Sequence, residues 1–257
     1  MIKFLRSIRQ RMIKENRVSK YVLYAIGEIV LVVIGIMIAL QINNGNVERT
    51  ERNVEKEYIA SMIADLEVDT TRYATLIDRF LLKEARIDTI LKSFHLLQQR
   101  YDHSLYNNLP EVIHYGDFIY TDKTMKQLMS AGGMRLIRDK EVVSAIIDYD
   151  SSVRRLTESL MPDLEFYYQH SNEMWFEVMD IAAFEADTAL LTITQMESGS
   201  KTYLLRSDKE TLGKWNNVIR NFHGDLVMIR EMEEALKAKA TRLIELLIQK
   251  YDLKPNA

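Results

Sequence analysis

A run of 22 predominantly apolar residues from Tyr21 to Ile42 constrains this chain more than any other feature. As a helix it measures about 33 Å at ~1.5 Å per residue, which is enough to cross a hydrocarbon core about 30 Å thick. Thirteen of the 22 residues are Val, Ile or Leu. Together they favour insertion by roughly 4–8 kcal/mol, whereas one acid such as Glu28 costs at most ~3 kcal/mol. We therefore expect a transmembrane helix over 21–42 rather than a buried core helix.

The charges that flank this segment predict its orientation. Residues 1–20 carry seven Lys or Arg against one Glu, a net charge of +6, and the positive-inside rule keeps such an end in the cytoplasm. The apolar residues of this tail recur at helical spacing, which favours an amphipathic helix on an anionic leaflet over a plain topology signal. A cleaved signal peptide has a shorter apolar run and a small-x-small site, so we expect an uncleaved anchor. The prediction is a bacterial inner-membrane protein with residues 43–257 in the periplasm.

Two long segments after the anchor have apolar residues every seven positions, which is typical of bundle or coiled-coil helices. The seam of the first is Ile59, Leu66, Tyr73, Phe80, Ile87, Phe94 and Tyr101. The last segment has two seams. One seam is Leu212, Ile219, Leu226, Ala240 and Leu247, and the other is Trp215, Phe222, Ile229, Leu236 and Leu243. The sequence thus predicts an all-α fold: a single transmembrane helix followed by an antiparallel helical bundle with two long coiled-coil-like helices.

Local signals predict where these helices begin and break. Thr121 and Asp139 are placed to cap two shorter helices, and Pro162 suits the first residue of another. An S-x-x-E capping box from Ser207 should open the last helix. The Asn43-Asn44-Gly45-Asn46 run is the expected break between the membrane helix and the domain.

Composition limits the classes of function. The chain has no Cys, which excludes disulfides, thiolate nucleophiles and Cys-based zinc sites. Residues 43–257 hold 27 basic and 35 acidic side chains, a net charge of −8, so the domain lacks the basic footprint that nucleic acid requires. The sequence contains no phosphate loop, dinucleotide fingerprint or nucleophile elbow. We expect no cofactor, no catalytic residues and no nucleic-acid partner.

Two short motifs are too weak to predict chemistry. Glu111 and His114 form a single E-x-x-H, whereas a di-iron bundle needs two such pairs and two further Glu. Ser198 and Lys201 have the S-x-x-K spacing of some acyl-transfer sites, but they lie in a Gly/Ser turn without the companion motifs. We expect no metal at the first and no reaction at the second.

One face of the membrane helix is the best candidate for function. Ala25, Glu28, Gly35 and Ala39 fall within about 80° of one another at 100° per residue. Gly35 and Ala39 form a small-xxx-small motif that lets helices approach closely, and an acid inside a membrane is a functional hypothesis by default. Two interpretations stay open for Glu28: it contacts another helix, or it reaches the cytoplasmic surface or is protonated without a role.

Two stretches of the sequence resemble a known family. The segment YAIGEIVLVVIGIMIALQINN from Tyr24 to Asn44 resembles the N-terminus of a family of Gram-negative envelope proteins classed as a domain of unknown function. The second is a T-x-x-x-L-x-S-x-G-x-x-x-L-I helix–turn–helix pattern, which falls here on Thr124, Leu128, Ser130, Gly132, Leu136 and Ile137. Gly45 stands where the family usually has Trp. The resemblance implies an inner-membrane anchor with a periplasmic domain, and it implies no activity.

The pair Gly132-Gly133 also allows two interpretations. It is either a tight turn that presents backbone to a partner or an ordinary helix C-cap, and a C-cap accounts for both glycines.

We expect a membrane-anchored structural or interaction protein of the cell envelope, with no catalysis of its own. Its partners would be the bilayer and either another protein or a second copy, through the membrane helix or the bundle. The alternative is a periplasmic sensory or ligand-binding helical module that signals through a membrane partner. A polar-lined pocket between helices would favour the alternative, and a solid core with an exposed apolar stripe would favour the interaction protein.

Overall fold

The computed structural model of the chain describes residues 18–99, 102–114, 118–130, 132–190 and 202–253. Most of the predicted basic tail, at 1–17, lies outside the described residues. So do Tyr101 of the first seam and the turn at 198–201.

The first helix, α1, runs over Val18–Ser93, a length of 76 residues. It is helical through 43–46, so the expected break there is wrong. Asn and Gly each cost up to about 1 kcal/mol in a helix relative to Ala, whereas ending and restarting a helix repeats the unfavourable nucleation step. Continuing the helix therefore costs less free energy than breaking it.

The chain divides into two compact units, Met1–Glu57 and Tyr58–Ala257. In the first unit, α1 contains one window that is long and apolar enough to cross a membrane, judged by length and composition alone. None of that window is buried. The described residues therefore contain one candidate membrane span, near the N-terminus, with apolar side chains that are not used in a protein core.

The second unit is built from helices of very different length. After α1 come α2 His103–Asn108, α3 Lys123–Ser130, α4 Lys140–Arg155, α5 Met161–Val178, α6 Ile181–Leu190 and α7 Lys209–Tyr251. Short 3-10 turns occur at Phe94–Gln98, Leu109–Ile113 and Gly133–Leu136. A π-helical turn over Leu156–Leu160 joins α4 to α5. The described residues contain no strand beyond an isolated bridge between Met179 and Leu204, which confirms the all-α prediction.

Three contacts that α7 makes with α1 and with the turn directly after it show the relative direction of the two helices. Glu84 accepts a hydrogen bond of 2.7 Å from Arg230, and Asp88 lies 3.5 Å from the His223 ring. The Phe94 ring meets the Trp215 ring edge-on, with centroids 5.6 Å apart. The α1 numbers rise while the α7 numbers fall, so the two long helices are antiparallel as predicted.

The predicted seams form the core of this unit. The six described members of the α1 seam, from Ile59 to Phe94, are at most 7% exposed, and both α7 seams are at most 6% exposed. Such a core buries the heptad positions of both long helices against each other and against α4 and α5, which is what their spacing indicates.

The helix starts show where local signals are sufficient. Asp139 caps α4 as predicted, accepting from the N–H groups of Glu141 and Val142. The last helix begins one residue later than expected, because Asp208 rather than Ser207 accepts from the Thr211 N–H, at 2.9 Å. Thr121 does not cap α3. Its own N–H donates to Asp69 of α1, so a carboxyl from another helix holds this segment.

Candidate functional site

The predicted membrane-face residues lie on α1 inside the candidate span. Glu28, Gly35 and Ala39 are exposed and Ala25 is half-buried. A Cβ atom placed on Gly35 would have no neighbour within 4 Å. This face is thus open in the single chain, and its packing against another helix stays a prediction.

The family-like turn is held by packing and by backbone geometry. Thr124, Leu128 and Ile137 are buried at 3%, 0% and 4% exposure, and Leu136 is half-buried. Gly132 has φ +63°, in the left-handed region that glycine adopts without strain. The exposed Ser130 hydroxyl donates to the Gln127 carbonyl at 3.4 Å. This geometry is that of a helix C-cap, and it accounts for the motif without a bound partner.

The second glycine of the turn has a separate role that the sequence did not indicate. A Cβ atom on Gly133 would lie 3.2 Å from Leu128 Cδ2 and 3.3 Å from Leu128 Cα. The Tyr58 ring would be 3.4 Å away. Position 133 therefore favours glycine, because the turn packs closely against the end of α3 and against α1.

Two carboxyl groups of α1 fasten the segment that leads into α3. Asp69 Oδ1 accepts from the Thr121 N–H at 2.8 Å, and Asp65 Oδ2 accepts from the Thr124 N–H at 3.0 Å. Both bonds satisfy backbone donors at a helix start, a role usually filled by a residue next to the helix in sequence. Sequence reasoning missed them because the acceptors lie more than 50 positions away.

Asp69 also ends a buried chain of hydroxyl groups. Tyr149 of α4 donates to Asp69 Oδ2 at 3.1 Å, and the Tyr149 and Tyr73 hydroxyls are 2.9 Å apart. Burial raises the pKa of Asp69 against the lowering effects of its hydrogen bonds and of Arg72. Burial likewise raises the pKa of both tyrosines. These groups are satisfied by one another, so the cluster holds α1, α4 and the connecting segment together.

Beside this cluster lies a cleft of about 810 Å³. Its apolar wall includes Phe118, Tyr120 and Met125, and the π-helical turn supplies Thr157 and Glu158. The exposed Ser130 of the turn motif also faces it. π-helical turns inside helices are often found at functional sites, but this cleft is open to solvent and its charged residues are paired, as in the 3.5 Å Arg154–Glu158 contact.

The E-x-x-H pair is used in structural contacts. Glu111 forms an ion pair with Arg86 and lies 3.8 Å from Lys83 Nζ. His114 Nδ1 is 2.7 Å from the Pro110 carbonyl, and the His114 carbonyl accepts a hydrogen bond from Lys83. Across the described part of the chain, no group of three or more His, Asp or Glu side chains is placed to hold a metal ion.

Lys83 is a buried cation at 8% exposure. Its ammonium group lies 5.5 Å from the centre of the Phe222 ring. Burial lowers the pKa of Lys83 to about 8, and the charge of Glu111 opposes that shift. The side chain is fixed between α7, the Leu109–Ile113 turn and the surface of α1.

The most unusual group in the core is Glu233. It occupies the one position of the 212-to-247 heptad series that is not apolar. It is 0% exposed, and neither carboxyl oxygen has a hydrogen-bond partner among the described residues. Burial raises the pKa of Glu233 to about 8, so the group is mostly neutral at pH 7. An ionised Glu233 raises the pKa of the Tyr73 hydroxyl, so the two buried groups interact electrostatically.

Comparisons with protein-family models, with curated proteins and with solved structures each found no match.

Proposed function

We propose that the chain is a single-pass, membrane-anchored interaction protein of a bacterial cell envelope. In this proposal the N-terminal tail is cytoplasmic, α1 crosses the inner membrane and the helical unit is periplasmic. The observation that carries it is the apolar window of α1, none of which is buried. A helix this apolar is strongly unfavourable in water, and insertion into lipid removes that cost.

The second unit supports a binding role more than a chemical one. Three of its buried titratable residues, Asp69, Tyr73 and Tyr149, bond to one another or to backbone groups and hold helices together. Glu233, by contrast, has no hydrogen-bond partner among the described residues and lies inside the core. Its core is continuous from Ile59 to Leu247. A rigid, anchored bundle of this kind is suited to presenting a fixed surface to another protein.

A ligand-binding sensory module is the second candidate, and the 810 Å³ cleft favours it. The cleft has a volume typical of small-molecule sites, which run from about 300 to 1,000 Å³. Its openness to solvent weighs against it, because small ligands are usually enclosed over most of their surface. A ligand that protects the cleft residues Met129 and Tyr120 from labelling would favour the sensor over the interaction protein.

The topology is tested with single cysteines, since the chain has none of its own. Ser151 is exposed on α4, and Ser7 lies in the basic tail. In intact spheroplasts an impermeant maleimide is expected to label Ser151→Cys and not Ser7→Cys, because the +6 tail stays in the cytoplasm. Both should label after lysis. Labelling of position 7 in intact cells would refute the proposed orientation.

The proposed helix packing is tested at Gly35. Gly35→Ile should reduce crosslinking between membrane helices at least several-fold, since a branched side chain blocks close backbone approach. Glu28→Leu should do the same if its carboxyl bonds to a neighbouring helix, and should improve insertion. Gly27→Ile is the matched control, because Gly27 is also free of neighbours within 4 Å but lies off the Ala25–Ala39 face. Equal crosslinking in Gly35→Ile and the parent would leave α1 as a plain tether.

A further inference from the structure

Two small hollows lie end to end along one side of α1. They have volumes of about 300 and 220 Å³ and share Leu76 and Arg79. Ile119 lines the first hollow and Glu111 lines the second. We call the surface of α1 that contains both hollows, from Thr71 to Arg86, the basic groove.

The charge of this groove is opposite to that of the rest of the domain. Four cations line it, Arg72, Arg79, Lys83 and Arg86, against the single carboxyl of Glu111. Residues 43–257 as a whole carry 27 basic and 35 acidic side chains. A positive strip on an acidic domain attracts an acidic partner.

Arg79 is the central cation of the groove. Arg86 and Lys83 both contact Glu111, and Arg72 lies 4.0 Å from Asp69. Arg79 is exposed and has no ion pair or hydrogen bond with any residue that the structure describes. It therefore offers a guanidinium that no described carboxyl group neutralises, at the point where the two hollows meet.

The spacing of the groove residues matches a second helix. Arg72, Arg79 and Arg86 are seven residues apart, and Leu76 and Lys83 follow the first two by four. A 4-3-4-3 series on a helix forms the nearly straight seam along which another helix packs. From Arg72 to Arg86 this seam spans about 21 Å at ~1.5 Å per residue. Leu76 and the 56%-exposed Leu82 supply apolar contact beside the cations.

We propose that the basic groove docks an acidic amphipathic helix of a partner protein. Carboxylates of that helix spaced seven residues apart would face Arg72, Arg79 and Arg86, and its apolar side chains would enter the two hollows. Nucleic acid is disfavoured because its phosphates need a broader basic surface than one strip on an acidic domain. The proposal rests on the proposed function, since it names the chemistry of the partner that the anchored bundle binds.

The affinity test uses full-length protein in lipid nanodiscs and a fluorescein-labelled 21-residue helical peptide. The peptide has Leu at 4-3 spacing and three Glu seven residues apart, and its control has Lys in place of Glu. We expect the Glu peptide to bind, and its affinity should fall as salt is added. Arg79→Glu should lower that affinity at least about tenfold. Arg155→Glu is the matched variant, because Arg155 is an exposed cation of α4 outside the groove, and it should change affinity less than about twofold. Equal binding of the Lys peptide, equal binding by Arg79→Glu, or no binding of the Glu peptide would overturn the proposal.

The test in native membranes places a photoreactive amino acid at Leu82, inside the groove, and at Ile147, which is 48% exposed outside it. The Leu82 position is expected to crosslink a different protein through an acidic peptide, and Arg79→Glu should remove that product. Crosslinks to lipid only, to a second copy, or to a partner that Arg79→Glu still captures would overturn the proposal that the basic groove docks an acidic helix. A partner captured at Ile147 but not at Leu82 would support the proposed interaction protein and refute the basic groove as its docking site. An absence of protein crosslinks at every exposed position would refute the proposed function itself.

Discussion

Replacing Glu233 with leucine is expected to stabilise the helical unit by about 2–4 kcal/mol at pH 7. Burial raises the pKa of Glu233 from its ordinary 4.5 to about 8, and each pKa unit corresponds to 1.36 kcal/mol. Keeping the group protonated at pH 7 in the folded state therefore costs roughly 3 kcal/mol relative to the ionised unfolded chain. Leucine removes that cost and fills an apolar heptad position of similar volume.

The same carboxyl should make the stability of the parent depend on pH. Between about pH 4.5 and 8 the folded state holds the Glu233 proton while the unfolded state releases it. Stability therefore falls as pH rises through this window, by up to about 1.4 kcal/mol per pH unit, and levels off above the folded pKa. Glu233→Leu removes this contribution from the slope.

The measurement is urea denaturation of full-length protein in detergent, followed by tryptophan fluorescence. Both Trp175 and Trp215 are buried in the second unit, at 5% and 0% exposure, so the signal reports that unit. Glu233→Gln is the matched variant: it should remove the pH dependence but recover less stability, because its amide is still buried without partners. A leucine variant less stable than the parent, or a slope retained in both variants, would contradict this account of Glu233.

Asp69→Ala is expected to destabilise the same unit by about 3–5 kcal/mol. The change removes the acceptor of the Thr121 N–H and of the Tyr149 hydroxyl. Each buried donor left without a partner costs roughly 1–3 kcal/mol, and Asp69 is only 1% exposed, so water cannot easily replace it. Helices α1 and α4 would keep only the Tyr73–Tyr149 link of the hydrogen-bond chain that joins them.

Asp65→Ala is the matched control for this experiment. Asp65 accepts from the Thr124 N–H at 3.0 Å in the same way, but it is only half-buried. Asp65→Ala removes one hydrogen bond from a half-buried carboxyl, whereas Asp69→Ala removes two from a buried one, so the expected loss is about 1 kcal/mol, the usual value of a helix cap. Equal losses of stability for the two alanine variants in urea denaturation would show that the burial of Asp69 is not what makes it important.

Much of the fold could be predicted because one face of each long helix must be apolar. The seams from Ile59 to Phe94 and from Leu212 to Leu247 repeat every seven residues, and the structure buries them. The Asp139 cap could also be predicted, because its side chain accepts from the N–H groups of residues only two and three positions later. Patterns that depend on neighbours within a few positions can be read directly from the sequence.

Features that depend on distant residues could not be predicted in this way. Nothing near Thr121 shows that α3 will begin at Lys123 with the Thr124 N–H bonded to Asp65 of α1, and the expected Thr121 cap is wrong for that reason. The seven-residue spacing of Arg72, Arg79 and Arg86 was present in the sequence, but the groove exists only because the segment around Glu111 and Ile119 lies against α1. Glu233 was also visible as a gap in its heptad series, and its burial follows from that register.

The antiparallel pairing of α1 with α7 has a consequence for synthesis of the chain on the ribosome. Phe94 packs against the Trp215 ring, and Glu84 bonds to Arg230, which is synthesised after Trp215. At roughly 5–20 residues per second, translation of the intervening segment takes about 6–24 s. During that interval the apolar seam of α1 emerges without the helix that covers it. The nascent chain is therefore most vulnerable to aggregation and proteolysis before its last helix is made, and a chaperone that covers α1 would act in that interval.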